Sequence, residues 1–302
     1  MDLALERLRD GIDRHAQQPR TSTRIDGLTL FRQAVVRDGV ATMYQPSLCV
    51  VAGGRKQVVL GDRVFDLGPG DLLVVAVEVP VTGCVVAATP EDPYLGLTVD
   101  LDRARLADLL LTLPPARGAA PSAGAAAGIA TGQLDGPLLD ALARLVGLLD
   151  EPQAAPALAP LVERELHFRL LTGDHAPLVR QIATADSHLA QIASATDWIR
   201  EHHAEPMRVE ELARRSAMSA TSFHRHFKAV TMLTPLEYRT RIRLQEARRL
   251  MLVEDLDAAS IGLAVGYESP SQFSREYRRH FGATPAADAV RLRAQATGRV
   301  AA

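Results

Sequence analysis

The chain has 302 residues, 47% of them hydrophobic and 23% charged, which suits two folded domains with their own cores. Two cysteines exclude a disulfide framework, and the acidic-and-basic opening lacks the apolar core of a signal peptide, so a cytoplasmic protein with no membrane partner is expected. The net charge of −2 is uneven: residues 1–186 carry 17 Lys+Arg against 23 Asp+Glu, residues 187–302 carry 17 against 13, and a polyanionic partner would meet the carboxyl-terminal third.

The opening "MDLALERLRDGIDRHAQ" sets Leu3, Leu5, Leu8 and Ile12 among charges, an amphipathic helix. Residues 27–101 read as strands. "KQVVLGDRVFDLGPGDLLVVAV" separates short Val/Leu runs by Gly-Asp and Gly-Pro-Gly-Asp, the chemistry of hairpin turns, and predicts a small barrel or sandwich. The valine-rich "DLLVVAVEVPVTGCVVAA" is broken by Glu78, Pro80 and Gly83, so it reads as two strands and not a membrane span. From Asp102 the period becomes helical, in "LDRARLADLLLTL", "GPLLDALARLVGLLD" and "ALAPLVERELHFRLLTG". "PPARGAAPSAGAAAGIATGQ" reads as a flexible surface loop, "EPQAAPALAP" as a second break, and Gly173 as the third helix's stop. Leu138, Leu142, Leu145 and Leu149 share one stripe, which serves either a core or the seam of a homodimer. Beyond Leu178 nearly everything is helical, with breaks at Glu205-Pro206, Thr234-Pro235, Asp255–Asp257 and Thr284-Pro285.

That helical third contains a repeat. "SFHRHFKAVTMLTP" (Ser222–Pro235) is echoed fifty residues later by "QFSREYRRHFGATP" (Gln272–Pro285). Upstream, "ELARRSAMS" and "IGLAVGYES" each read as a short helix, a turn and a serine, Ser219 or Ser269, suited to N-cap the next helix. Each unit is a helix-turn-helix, and the second is one residue longer before its serine. Phe223, Phe227 and Val230 share one helical side, as do Phe273, Tyr277 and Phe281, and should pack inward. Thr221, His224, Arg225 and Lys228 share the opposite side of the first helix, and Ser271, Ser274, Arg275 and Arg278 that of the second. Arginine on such a face can contact guanine bidentately in a major groove, while neighbouring cations neutralise phosphate. Between the copies, "TPLEYRTRIRLQEARRLML" predicts a helix of nineteen residues, roughly 28 Å long, against about 34 Å between successive major grooves.

These residues bring a family into view. "LARRSAMSATSFHRHFKAVTMLTPLEYRTRIRLQEARRLM" and "IGLAVGYESPSQFSREYRRHFGATP" resemble the AraC/XylS family of bacterial transcription regulators over nearly all of residues 190–293. The resemblance implies two helix-turn-helix units joined by a long helix. It implies Thr221, His224 and Arg225, then Ser271, Gln272 and Arg275, as base-edge residues, with Lys228 and Arg278 completing the DNA-binding set. Gly262 stands where the family usually has alanine, so a looser helix is expected there. "YQPSLCVVAGGRKQVVLGDRVFDLGPGDLLVVAVEVPVTG" (44–83) is similar to a regulatory domain of the same family. Gly53 replaces a common glutamine, so a more mobile strand end is expected. The implied fold class is α+β: residues 1–186 a cupin-like small β-barrel with appended dimerising helices that binds a small-molecule effector, residues 187–302 an all-α domain that binds double-stranded DNA. The family also implies contact with RNA polymerase; a homodimeric activator is expected, with repression as the open alternative.

The competing class is a non-metal cupin-like enzyme or ligand-storage protein whose helical domain mediates assembly. A metal cupin needs histidines in its barrel; none lies between residues 16 and 166, so neither metal nor cofactor is expected. Candidate effector residues are Cys49, Arg55, Glu78 and Cys84. Glu78 either faces a polar pocket or ends a strand at the surface. The cysteines are either buried hydrophobes or sensing thiols. Arg55, with Lys56, either binds an anionic effector or is solvated charge at a hairpin end.

Overall fold

The Gly61-Asp62 segment turns the chain back on itself as an antiparallel hairpin, whereas Gly68-Pro69-Gly70-Asp71, expected to be a second hairpin turn, carries the chain from one sheet to the other. The computed structural model describes residues 2–113, 128–185, 187–254 and 256–296. Its contacts divide the chain into two compact units, Met1–Ala193 with Arg225–Met232, and Ser194–His224 with Leu233–Ala302.

In the first unit α1 (Asp2–His15) precedes β1 (Arg20–Ser22), β2 (Leu28–Gln33), β3 (Arg37–Tyr44), β4 (Ser47–Gly53), β5 (Arg55–Leu60), β6 (Arg63–Leu67), β7 (Asp71–Val75), β8 (Val79–Ala87) and β9 (Tyr94–Asp100). After α2 (Arg103–Thr112) comes β10 (Ile129–Gln133), then α3 (Gly136–Gly147), α4 (Ala155–Thr172) and α5 (Ala176–Ala183). The strands form two antiparallel sheets, ordered β1-β2-β9-β4-β7-β10 and β3-β8-β5-β6. At the β5–β6 turn Leu60 pairs with Arg63, and Gly61 takes a φ of 60° that glycine adopts without strain. Strand β4 is buried along its whole length instead of alternating, because it is central in its sheet and α1 packs on that sheet through the fully buried Leu8 and Ile12.

Several expectations change here. Ile129–Gln133, assigned to a loop by its small residues, is strand β10, in register with β7 from Ile129↔Val75 to Gln133↔Asp71. Pairing and burial of Ile129 outweigh weak local propensity. The rest of that expected loop, residues 114–127, lies outside the described residues, as does Asp255 in the expected 255–257 break. The break at "EPQAAPALAP" is shorter than expected, because α4 already begins at Ala155. Pro156 occupies its first turn, where no N–H is needed, and burial of Ala159, Val162 and Leu166 carries the helix through Pro160. Gly53 is buried and pairs with Leu95, and the Pro93 carbonyl oxygen lies 3.2 Å from where a Cβ would stand, so the strand end is closely packed. Leu138, Leu142, Leu145 and Leu149 are all buried, which makes their stripe part of this unit's core.

The carboxyl-terminal helices are α6 (His188–Glu201), α7 (Val209–Arg215), α8 (Ala220–Thr231), α9 (Pro235–Val253), α10 (Ala258–Ala264), α11 (Pro270–Phe281) and α12 (Pro285–Ala296). The Thr-Pro pair that closes each repeat starts a helix. Thr234 caps α9 in a reciprocal capping box with Glu237, and Pro235 fills the first position. At the other end of α9, the Arg293 guanidinium donates to the carbonyls of Met251 and Glu254. The core of the second unit gathers Leu244, Ala247 and Met251 of α9, Ile261 of α10, and Val265, Tyr267, Phe273 and Tyr277. Gly262 is part of this packing. A Cβ there would lie 2.9 Å from Cδ1 of Phe273, so the glycine seats the ring and does not loosen α10.

The two helix-turn-helix units pay for their turns differently. In the second, glycines take the left-handed positions, Gly266 at φ 90° and Gly282 at φ 74°. In the first, Ala217 at φ 52° and Met232 at φ 59° do so. Ala217 stands two residues before Ser219 and Gly266 three before Ser269, the extra residue that the sequence contains. A left-handed non-glycine residue costs about 1–2 kcal/mol. Ala217 is exposed, so its methyl group contributes little packing. Ala217→Gly should therefore raise stability by about 1 kcal/mol, read as a higher denaturant midpoint of the helical unit; a lower midpoint would contradict the strain.

Candidate nucleic-acid interface and effector cavity

Helical geometry sets the outward faces of α8 and α11. Residues four apart lie nearly in line, and the residue between them lies about 180° away. Phe223 and Phe227 are fully buried, as are Phe273 and Tyr277, so Arg225 and Arg275 point to solvent. Thr221, His224 and Lys228 are exposed on α8, and Ser271, Gln272 and Arg278 on α11; Ser274 is half-buried. Ser219 and Ser269 accept from the backbone N–H groups of Ser222 and Gln272, as N-caps do. Among the described residues no carboxylate forms a salt bridge with Arg225, Lys228, Arg275 or Arg278. Arg225 lies 3.4 Å from the His226 ring, and the Gln272 amide donates to Glu276.

Beneath this face α11 is tied down. Tyr277 donates its hydroxyl to Asp288 at 2.7 Å, and the fully buried Asp288 also accepts from Arg248 and Arg291. Burial and that bond to Asp288 both raise the Tyr277 phenol above its ordinary range, so it stays a donor. Tyr267 likewise donates to Glu276 at 2.8 Å.

The second feature is a cavity of about 590 Å³ between the two sheets of the first unit. Its walls include Phe31 of β2, Thr42 and Tyr44 of β3, Cys49 of β4, Lys56 of β5, Cys84 of β8, and Tyr94 and Asp100 of β9. The Lys56 ammonium lies 5.0 Å from the ring centroid of Tyr44, 5.9 Å from that of Phe31 and 6.0 Å from that of Tyr94. Burial opposes its charge, and the side-chain hydrogen bond to Tyr44 favours it. Burial raises the Tyr44 and Tyr94 phenols and the Cys49 thiol, leaving all three protonated at neutral pH. Asp100 is raised by partial burial and by Asp26, with Arg20 pulling the other way.

The expected effector residues separate on this geometry. Cys49 and Cys84 line the cavity, whereas Arg55 and Glu78 do not. Arg55 is exposed because it points outward from β5, and Glu78 is buried just before β8. A sensing role for Cys49 loses its basis, since the thiol is buried, protonated and 3.7 Å from the Ser47 hydroxyl. The sequence reading weighed Lys56 with Arg55, as anion contact or hairpin-end charge, and missed Tyr44 and Tyr94. Strand parity held the signal: Lys56 alternates in phase with the buried Val58 and Leu60, and Arg55 does not.

Comparison with known proteins bears on both features. The family described as AraC-type transcriptional regulator N-terminus matches residues 24–178, and a helix-turn-helix domain family matches residues 212–289. The HTH-type transcriptional activator RhaS of Escherichia fergusonii is 30% identical over 155 residues, 51% of this chain and 55% of that protein. RhaS of Salmonella schwarzengrund is 31% identical over 153 residues, 49% of this chain and 53% of that protein. The chain thus spans about half the length of the curated relatives it matches. A structure of apo ToxT from Vibrio cholerae shares the fold, with a TM-score of 0.58 at 9% identity, over 89% of this chain and 99% of that one. Among the described residues, no helix is long and apolar enough to cross a membrane.

Burial of Cys49 has a direct chemical test. Iodoacetamide at pH 7, followed by peptide mass spectrometry, should leave Cys49 unmodified in the folded protein and label it after denaturation. Labelling at the rate of a free thiol would contradict the buried, protonated assignment.

Proposed function

Since the chain belongs to the AraC-type transcriptional regulators, we propose that it is a cytoplasmic, homodimeric activator whose exposed α8 and α11 side chains read operator DNA, and whose cavity takes a small-molecule effector. In this reading residues 1–186 sense the effector and dimerise, residues 187–302 bind DNA, and the bound protein contacts RNA polymerase. One observation carries it: Thr221, His224, Arg225, Lys228, Ser271, Gln272, Arg275 and Arg278 are all exposed, on two helices whose aromatic faces are buried.

The length of α9 supports reading of successive grooves. Its nineteen residues rise roughly 28 Å, close to the groove repeat of about 34 Å. Arg225 and Arg275 are assigned to base edges, and Lys228 and Arg278 to phosphate. The curated relatives are transcriptional activators, which favours activation over repression.

Sequencing the DNA fragments retained by the purified protein, its own promoter region included, identifies the operator. On that operator, Arg225→Ala and Arg275→Ala should each cost about 1–3 kcal/mol of binding and relax preference at one position, measured by gel shift. Lys228→Ala and Arg278→Ala should weaken all sequences alike and reduce the salt slope by about one. Wild-type affinity in both arginine variants would remove the base-edge assignment.

A further inference from the structure

We propose that the cavity between the sheets binds a small organic carboxylate, paired through the Lys56 ammonium. The inference rests on the cavity being the effector site and adds the chemical class of its ligand. Lys56 reaches inward from β5 to a point bounded by Phe31, Tyr44 and Tyr94. Among the described residues no carboxylate forms a salt bridge with it. Ring faces and phenol oxygens stabilise a cation, but they are not a counter-charge, and a cation withdrawn from bulk water lacks one. A ligand carboxylate supplies it and gains a charge-assisted hydrogen bond.

The surroundings fit the same ligand. Gly83 leaves space where the Tyr44 hydroxyl and the Lys56 stem converge, 3.5 Å and 3.8 Å from where a Cβ would stand. Burial keeps both phenols protonated, so their hydroxyls can donate to an anion that Lys56 attracts. Phe31 and the ring faces offer apolar wall to a hydrocarbon body, and about 590 Å³ is a typical volume for such a site. Asp100, the acid on the lining, stands at the far end of β9 from Tyr94, with Arg20 and Arg37 also on the walls. A neutral polyol would use Thr29, Thr42, Gln45 and Thr98 and would gain nothing particular from a cation.

The test titrates full-length protein with sodium benzoate, sodium octanoate, benzamide and xylitol at fixed ionic strength, by calorimetry and thermal unfolding. At least one carboxylate should bind and raise the melting temperature, with benzamide and xylitol far weaker. Lys56→Met should weaken the carboxylate by about ten- to hundredfold without lowering the stability of the unliganded protein. Lys56→Arg, which keeps the charge, should retain binding and separates charge from packing. Binding of neither carboxylate, equal binding of benzamide, or unchanged affinity in Lys56→Met overturns the proposal. Gel shifts run alongside keep the two readings apart. A carboxylate held through Lys56 that leaves DNA affinity unchanged supports the ligand class and removes effector control of DNA.

Discussion

The duplicated pair of buried rings is the constraint from which the outward faces of α8 and α11 follow. Once Phe223 and Phe227, or Phe273 and Tyr277, are committed to the interior, helical geometry gives the residue between them no inward direction. Arg225 and Arg275 are displayed for that reason, and the polar neighbours of each share its face. The display of this surface is thus secured by hydrophobic burial on the other side of the same helix. That is a sturdier arrangement than a loop, because the rings fix the rotation of the helix about its axis.

The two copies have diverged in how they satisfy shared demands. The second carries glycine at both left-handed positions and a phenol on α11, Tyr277, anchored by the buried Asp288. The first has Ala217 and Met232 at those positions and plain Phe227 on the helix, while Tyr238 occupies the place that Asp288 holds fifty residues on. Both Tyr238 and Asp288 are fully buried. Polar anchoring in the second unit centres on one carboxylate shared by Tyr277, Arg248 and Arg291. A buried carboxylate with that many donors holds α9, α11 and α12 in a single register.

Much of this was legible in the sequence because the decisive signals are local. Rings four apart, Thr-Pro starts, serine caps and Gly-Asp turns each dictate backbone geometry within a few residues, and the helices and most strands form where those signals fall. What was not legible depends on distant partners. Strand β10 exists because β7 offers it an edge, which nothing in "IATGQ" announces. Pro160 reads as a breaker, yet α4 continues through it because its buried face is held by packing. The cavity set was half visible. Cys49 and Cys84 were identified, and Lys56 was weighed together with Arg55 as either an anion contact or hairpin charge, although alternation along β5 separates the two. Glu78 shows the limit of reading one residue as an interruption: it is buried, but away from the cavity.

The contact between Gly262 and Phe273 carries an implication for descent. An aromatic ring at 273 and a methyl group at 262 compete for one volume, since the nearest ring carbon would approach to 2.9 Å. A lineage that exchanged glycine for alanine here would have to shift the ring to admit the methyl group. The effect of a change at either site is therefore conditional on the state of the other.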